Sequence, residues 1–212
     1  MTPYLTKQGL YREIDHIRSY LPYIPKSLDT YQIQLQQMFP DLHIVQRELD
    51  SKKISGMLLR GETALIILNS SRNEISQRFT LTHEMIHYFL HSQVGQFFCQ
   101  DDDISPYEWQ ANEGAAELLV PYRLFLPSAA RYHAVLQSNR ARALQILAQQ
   151  FGVSRTIITH RLESLSFELE QYQNGVKLEQ IYILSREKAA SFKKQTSPLP
   201  ASLEKILDIF PE

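Results

Sequence analysis

The sequence predicts an α+β fold that is mainly helical, with a small antiparallel sheet beside one long helix. Three short runs rich in Ile, Leu and Val lie between residues 42 and 68, and polar turns separate them. That pattern is typical of a small antiparallel meander. The stretch from Glu74 to Ser92 contains no Gly or Pro and repeats its apolar residues at helical spacing. At 212 residues the chain is long enough to bury one main core with small helical additions.

Four segments are predicted along the chain. The first is helical, the second contains the sheet and the long helix, the third has a helix-turn-helix pattern, and the fourth is a C-terminal extension. Their boundaries are residues 1–40, 41–135, 136–170 and 171–212. The division follows changes in apolar periodicity and the positions of turn residues such as Asn174-Gly175.

The long helix is predicted to begin at Ser71, because Glu74 follows three residues later as in a capping box. An apolar face is predicted from residues at helical spacing, namely Ile75, Phe79, Ile86 and Leu90. This face would anchor the helix in the core.

Within this helix, His83 and His87 stand four residues apart with Glu84 between them. Residues four apart share one face of a helix, so both imidazoles can reach a single metal ion. Zinc suits two neutral imidazoles, and the carboxylate of Glu84 can hold and deprotonate a water at the metal. The alternative is that both histidines are ordinary residues of an amphipathic helix.

A zinc site of this type needs a third protein ligand. His91 lies four residues past His87. Three ligands along one straight helix face would span about two turns, which is too far for one ion. His91 is therefore predicted to be a surface or substrate-side histidine.

The better candidate for the third ligand lies in a second predicted helix, between Pro106 and Pro121. Glu108 and Asn112 are four residues apart and share a face, as a ligand and a hydrogen-bonding partner of the site would. The alternative for Glu108 is a capping box with the serine three residues before it, in which the carboxylate only accepts a backbone N–H.

These two helices together resemble the ImmA/IrrE-type metallopeptidase family. The matching segments are RFTLTHEMIH at residues 78–87 and ExxANxGAAELLVP at residues 108–121. The chain departs from the family pattern at packing positions, with Met85-Ile86 after the glutamate, Gly114 for the usual Phe and Val120 for the usual Met. The resemblance covers about residues 40 to 165.

The resemblance implies a zincin-like metallopeptidase fold and a zinc-dependent, site-specific endopeptidase with one Zn²⁺ in each chain. By the same resemblance, His83, His87 and Glu108 would bind the zinc and Glu84 would be the general base. Asn112 would orient a histidine ligand. Members of this family typically cleave a helix-turn-helix repressor or antitoxin and so switch on stress or mobile-element genes. The expected partner is therefore such a repressor.

A helix-turn-helix pattern occupies residues 143 to 165, with Gly152 at the turn and Ser154 as the cap of the second helix. If this segment bound DNA, its second helix would place five polar side chains in a groove of the duplex: Arg155, Thr156, Thr159, His160 and Arg161. Because the surrounding charge is not strongly basic, packing or partner docking is favoured over direct DNA binding. A DNA- or protein-binding regulator with a structural zinc site is the alternative function.

Composition indicates a reducing compartment. The chain carries 22 basic and 23 acidic residues, so its charge gives no general attraction to nucleic acid or membrane. The single cysteine, Cys99, cannot form an internal disulfide. No signal segment and no apolar stretch of membrane-spanning length is present, so a cytoplasmic location without a membrane partner is expected. The acidic run at residues 101–103 is predicted to be a solvated loop.

Overall fold

The computed structural model describes residues 5–21, 23–50, 53–92, 96–100 and 105–184, with the backbone alone for residues 96–100. Its helices are α1 (Lys7–Tyr20), α2 (Leu28–Met38), α3 (Glu74–Leu90), α4 (Pro106–Leu119), α5 (Tyr122–Arg131), α6 (His133–Ser138), α7 (Arg140–Phe151), α8 (Arg155–Ser164) and α9 (Ser166–Gln173). Its strands are β1 (Leu42–Arg47), β2 (Ile54–Arg60), β3 (Ala64–Asn69) and β4 (Gln96–Gln100). The mainly helical α+β class is confirmed.

Several predictions from the sequence concern residues that the structure does not describe. They are the acidic run at residues 101–103, the side chain of Cys99 and the extension beyond residue 184. None of the helices in the described ranges is long and apolar enough to cross a bilayer. The four predicted segment boundaries stay predictions.

The sheet has the strand order β1-β3-β2-β4 and is mixed, so the predicted antiparallel meander is wrong. Strands β2 and β3 form the expected hairpin, but β1 pairs with β3 in parallel, from Leu42 opposite Ala64 to Arg47 opposite Asn69. The other edge of β2 is taken by β4, which pairs with it in antiparallel direction. Apolar runs show which segments are strands, but they do not specify which strand lies beside which.

Helix α3 begins after Asn73, whose side-chain oxygen accepts the N–H of Ser76 at 2.9 Å. The predicted capping box from Ser71 is therefore wrong. The Ser71 hydroxyl instead donates to Asn69 Oδ1, and the Glu74 carboxylate accepts the first backbone N–H of α2. Ser71 therefore holds the turn after β3, and Glu74 connects α3 to α2, which are contacts that the local sequence does not reveal.

The buried face of α3 differs in part from the predicted one. Leu81, Met85 and Ile86 are fully buried, whereas Ile75 is 47% exposed. The N-terminal turn of α3 extends beyond the core, so the apolar spacing overestimated the length of the buried face.

Helix α4 packs closely on α1 and α3 at Gly114. A Cβ built on this glycine would lie 3.1 Å from Ile86 and 3.2 Å from Ile14. The absence of a side chain thus lets three helices share one core with α2 and the sheet. This close approach brings the beginning of α4 against the end of α3.

The helix-turn-helix geometry of α7 and α8 is present as predicted. Helix α7 ends at Gly152, which has a φ of +66°, and the Ser154 hydroxyl accepts the N–H of Ile157 at the start of α8. The predicted groove-facing role of Arg161 is wrong, because this side chain is 0% exposed. Arg78 of α3 donates to the carbonyl of Gly152, so the turn is anchored to the long helix.

Candidate metal centre

The last turns of α3 and the first turn of α4 bring three potential metal ligands together. His83 Nε2 lies 3.0 Å from Glu108 Oε2, and His87 Nε2 lies 3.1 Å from Glu108 Oε1. The two Nε2 atoms are 3.1 Å apart. All three side chains are buried. Among the residues that the structure describes, these three form a group that could hold a metal ion.

These distances fit a tetrahedral zinc ion. Zinc bonds of about 2.0–2.2 Å at the tetrahedral angle separate neighbouring ligand atoms by about 3.3–3.5 Å. Each Nε2 atom and the Glu108 oxygen nearest to it, and likewise the two Nε2 atoms, therefore need to move apart by only a few tenths of an ångström. Two imidazoles and one carboxylate also form the donor set of a catalytic zinc site, which keeps its fourth position open.

Glu108 meets the histidines although its helix is capped beside it. The Ser105 hydroxyl accepts the backbone N–H of Glu108 at 3.2 Å, so the serine does cap α4. The carboxylate, however, points to His83 and His87 and does not return to the backbone at the cap. Half of the alternative capping box is therefore present, and it leaves the carboxylate free for the site.

The pKa shifts of Glu108 and His87 suit metal binding. Burial alone would raise the pKa of Glu108, but hydrogen bonds from His83 and His87 outweigh burial and bring that pKa to about 2. Burial lowers the pKa of His87 below its ordinary value. An ionised carboxylate and a neutral imidazole are the forms that coordinate a metal.

Glu84 lies in the same buried region and is fully covered. Neither of its carboxylate oxygens has a hydrogen-bond partner among the described residues. Burial raises the pKa of Glu84 to about 8, against the influence of His83 and with a smaller contribution from Glu108. A buried carboxyl without partners is costly, and such groups are concentrated at functional sites.

Asn112 lies beside His83, as the shared helix face predicts. Its Oδ1 is 3.1 Å from His83 Nδ1. An amide oxygen accepts, so Nδ1 carries a proton, and Nε2 can present its lone pair to a metal ion that replaces the hydrogen bond to Glu108. The asparagine itself is exposed. The contact fixes the orientation of the His83 ring through an α4 side chain that solvent can reach.

His91 was predicted to be a surface or substrate-side histidine, and its burial shows that the surface position is wrong. It is 1% exposed, and its Nδ1 lies 2.8 Å from Nδ1 of His87. Its Nε2 is 3.4 Å from Gln110 Oε1, and its ring contacts the edge of Tyr107. Burial, and next His87, lowers the pKa of His91 to about 4. The four-residue spacing predicts that His91 and His87 share a helix face, but the sequence does not show that α4 packs over His91 and buries it.

Arg60 is a second residue that the sequence did not single out. Its guanidinium donates to the carbonyls of His87 at 2.8 Å and Tyr88 at 2.9 Å, and it lies over the Tyr88 ring. Because Arg60 ends strand β2, it attaches the C-terminal end of α3 to the sheet. A cation at this end also complements the helix dipole.

Comparisons with known proteins concern the fold and the family of the chain. A search of curated proteins finds no significant match. A solved structure with a similar fold is a Mycobacterium tuberculosis transcriptional regulator, with 15% identity and a TM-score of 0.55. The similarity covers 82% of this chain and 49% of that chain, so this chain spans about half of that protein. At this identity the likeness shows the fold alone.

The strongest comparison is with a protein family. The sequence model of the Peptidase M78 family, described as the IrrE N-terminal-like domain, matches residues 40–163. The match covers more than half of the chain and includes both helices of the candidate metal centre. The chain therefore belongs to the IrrE N-terminal-like family of M78 peptidases.

Proposed function

We propose that this protein is a zinc-dependent, site-specific endopeptidase. The observation that carries the proposal is the buried group of His83, His87 and Glu108, in which each Nε2 atom lies 3.0–3.1 Å from a Glu108 oxygen and from the other Nε2 atom. Beside it lies the carboxyl of Glu84, which has no hydrogen-bond partner among the described residues. Membership of a peptidase family supports the same reading. The three ligands provide a place for the ion, and the fourth carboxyl provides a base.

In this proposal His83, His87 and Glu108 hold the zinc ion, which supplies a Lewis acid that polarises the scissile carbonyl and acidifies water. Glu84 takes a proton from the attacking water and later gives it to the leaving amine. A nearby divalent cation favours the ionised form of Glu84, which counteracts the effect of burial on its pKa. Asn112 orients His83 through the contact at Nδ1.

A purely structural zinc site is the competing hypothesis. Structural sites are usually closed by four protein ligands, whereas the group found among the described residues has three. A structural ion also needs no general base, and a buried Glu84 without a hydrogen-bond partner among the described residues would only destabilise the fold. The position of Glu84 therefore favours catalysis.

The proposed substrate is a regulatory protein, a helix-turn-helix repressor or antitoxin. The resemblance to ImmA/IrrE-type enzymes supports this substrate class, and the structural neighbour is itself named a transcriptional regulator. Direct DNA binding is less favoured. Arg161, one of the cations that α8 could have offered to a groove, is buried. A cytoplasmic repressor that meets this protein directly is the proposed partner.

The first test is the metal content of the purified protein by elemental analysis. We expect about one zinc per chain, and its loss or strong weakening in the His87→Ala and Glu108→Ala variants, because each removes one of three ligands. Zinc that stays absent from the folded wild-type protein after zinc is supplied would contradict the proposal.

The second test separates catalysis from structure. Glu84→Gln should retain zinc while cleavage of a panel of purified helix-turn-helix repressors falls by at least about 100-fold, because the general base is lost. Glu163→Gln is the matched control, since that carboxylate is exposed on α8. Undiminished cleavage by Glu84→Gln would exclude the mechanism and leave the structural hypothesis.

A further inference from the structure

We propose that His91 is a positioning residue that connects Gln110 of α4 to the metal-facing His87. It would hold His87 in the tautomer and orientation that metal binding requires. This inference rests on the proposed zinc site. It concerns the affinity of the site for zinc, which can be measured without a substrate.

The three side chains form a continuous buried chain of contacts. His91 Nδ1 is 2.8 Å from His87 Nδ1, and His91 Nε2 is 3.4 Å from Gln110 Oε1. His87 is 0%, His91 1% and Gln110 2% exposed. Solvent therefore has no access to these contacts, and the proton positions must be settled by the side chains.

With a metal bound at His87, the contacts that the structure describes between His87, His91 and Gln110 are satisfied in one arrangement of protons. His87 Nε2 faces Glu108 and must present a lone pair to the metal, so the proton of His87 is on Nδ1. Nδ1 of His91 must then accept that proton in a hydrogen bond, which places the proton of His91 on Nε2. An amide oxygen, Oε1 of Gln110, stands at this nitrogen to accept it.

The two metal-facing histidines are thus oriented from the same helix by different routes. Asn112 contacts His83 directly and is exposed, so water can replace its oxygen when it is removed. Gln110 lies two residues before Asn112 and acts on His87 through a buried imidazole. We therefore expect His87 to depend on His91 more than His83 depends on Asn112.

A merely structural His91 would only fill space between α3 and Tyr107. Two substitutions distinguish this role from positioning. His91→Leu keeps most of the volume but removes both nitrogens. His91→Asn removes volume but places an amide oxygen near the former Nδ1, where it can accept from His87.

The test measures zinc affinity by competition with a chromophoric chelator, and stability by urea unfolding of the metal-free proteins. Positioning predicts that His91→Leu lowers zinc affinity by about 10- to 100-fold and that His91→Asn recovers most of this loss. His91→Asn should nevertheless be less stable than His91→Leu, because it leaves a cavity. Affinities that follow stability, or an unchanged affinity in His91→Leu, would overturn the proposal.

Gln110→Leu tests the contact that lies farthest from the metal, between Gln110 and His91. We expect a smaller loss of zinc affinity than in His91→Leu, because the contact to His91 is the longer one at 3.4 Å. In the His91→Leu background the same change should have no further effect, since the connection is already broken. Additive losses would show that Gln110 does not act through His91. Asn112→Ala is the matched control and should cost less than His91→Leu.

The proton positions can be observed directly by long-range ¹⁵N–¹H correlation spectra of the imidazole rings in the zinc-loaded protein. We expect His87 to be protonated at Nδ1 and His91 at Nε2. The opposite tautomer of His91 would overturn the inference while leaving the zinc site itself intact. Failure of the wild-type protein to bind zinc would instead remove the proposed function, so the two failures are distinguishable.

Discussion

Helix α4 separates two buried polar clusters that share many features but differ in how their charges are balanced. The metal cluster consists of His83, Glu84, His87 and Glu108. The Arg161 cluster consists of Tyr11, Glu113, Glu117 and Arg161. Each cluster contains two glutamates, and each joins α4 to another helix.

In the Arg161 cluster the protein supplies the cation. Arg161 lies 2.8 Å from Glu113 and 2.5 Å from Glu117, and it also donates to the hydroxyl of Tyr11 and the carbonyl of Val120. Burial alone would lower the pKa of Arg161, but Tyr11 and the two carboxylates raise it above its ordinary value. The guanidinium is therefore charged and compensated.

The metal cluster contains two carboxyl groups and two imidazoles that metal binding requires to be neutral. Neither oxygen of Glu84 has a hydrogen-bond partner in the part of the chain that the structure describes. Two carboxylates and one divalent cation would sum to zero charge. A buried cluster whose carboxylates are paired with an arginine of the same protein is structural. A buried cluster whose carboxyl groups have no such cation is where a metal ion would bind.

The largest effect should come from breaking the compensated cluster. Arg161→Met leaves two buried carboxylates without their cation, so we expect a loss of about 3–5 kcal/mol in the free energy of unfolding. Urea unfolding measures this loss. Arg155→Met, an exposed arginine on the same helix, is the control and should change little. A comparable loss in both variants would show that compensation is not the cause.

The metal cluster should respond instead to an external ion. Zinc at 100 times its dissociation constant should stabilise the wild-type protein by about 2.7 kcal/mol. Glu108→Ala should abolish this response, whereas Arg155→Met should keep it. Unfolding with zinc and with a chelator gives both values. Equal stabilisation of Glu108→Ala and the wild type would place the ion elsewhere.

The missing counter-charge beside Glu84 should appear in the pH dependence of the metal-free protein, because burial there favours the neutral carboxyl. The folded-state pKa of about 8 lies above the ordinary value of 4.5. Between these values the folded state holds a proton that the unfolded state has released, so stability falls as pH rises. From pH 6.5 to 8 this term amounts to at most about 1.4 kcal/mol per pH unit.

Glu84→Gln should remove that term, and the difference between the two proteins isolates it from other titrating groups. Urea unfolding at several pH values provides the measurement. Parallel stability curves for the wild type and Glu84→Gln would mean that Glu84 is ionised or hydrated in the metal-free fold.

The smallest effect concerns the exposed edge beside the Arg161 cluster. Arg123 and Asp15 form an ion pair at 2.9 Å, but their side chains are 52% and 39% exposed. Arg123→Ala should therefore cost less than about 1 kcal/mol, and added salt should reduce that cost further. A loss as large as that of Arg161→Met would show that burial does not decide the difference.

Local patterns predicted the elements that carry the candidate site. The four-residue spacing of His83 and His87 and the prolines around α4 were sufficient to predict two helices with one ligand face each. The predictions that were wrong concern long-range neighbours. They are the pairing of β1, the role of Ser71, and the burial of His91 and Arg161.

The sequence by itself determined the helical faces, because helix periodicity is a local property of three or four residues. It therefore indicated that Glu108 and Asn112 share a face. Only the tertiary structure decided which side chains meet across helices. Gly114 lets α4 approach α3, and that approach buries His91 against His87 and brings Glu108 to the histidines. Burial and charge compensation depend on such distant contacts, so they arise only when the chain is folded.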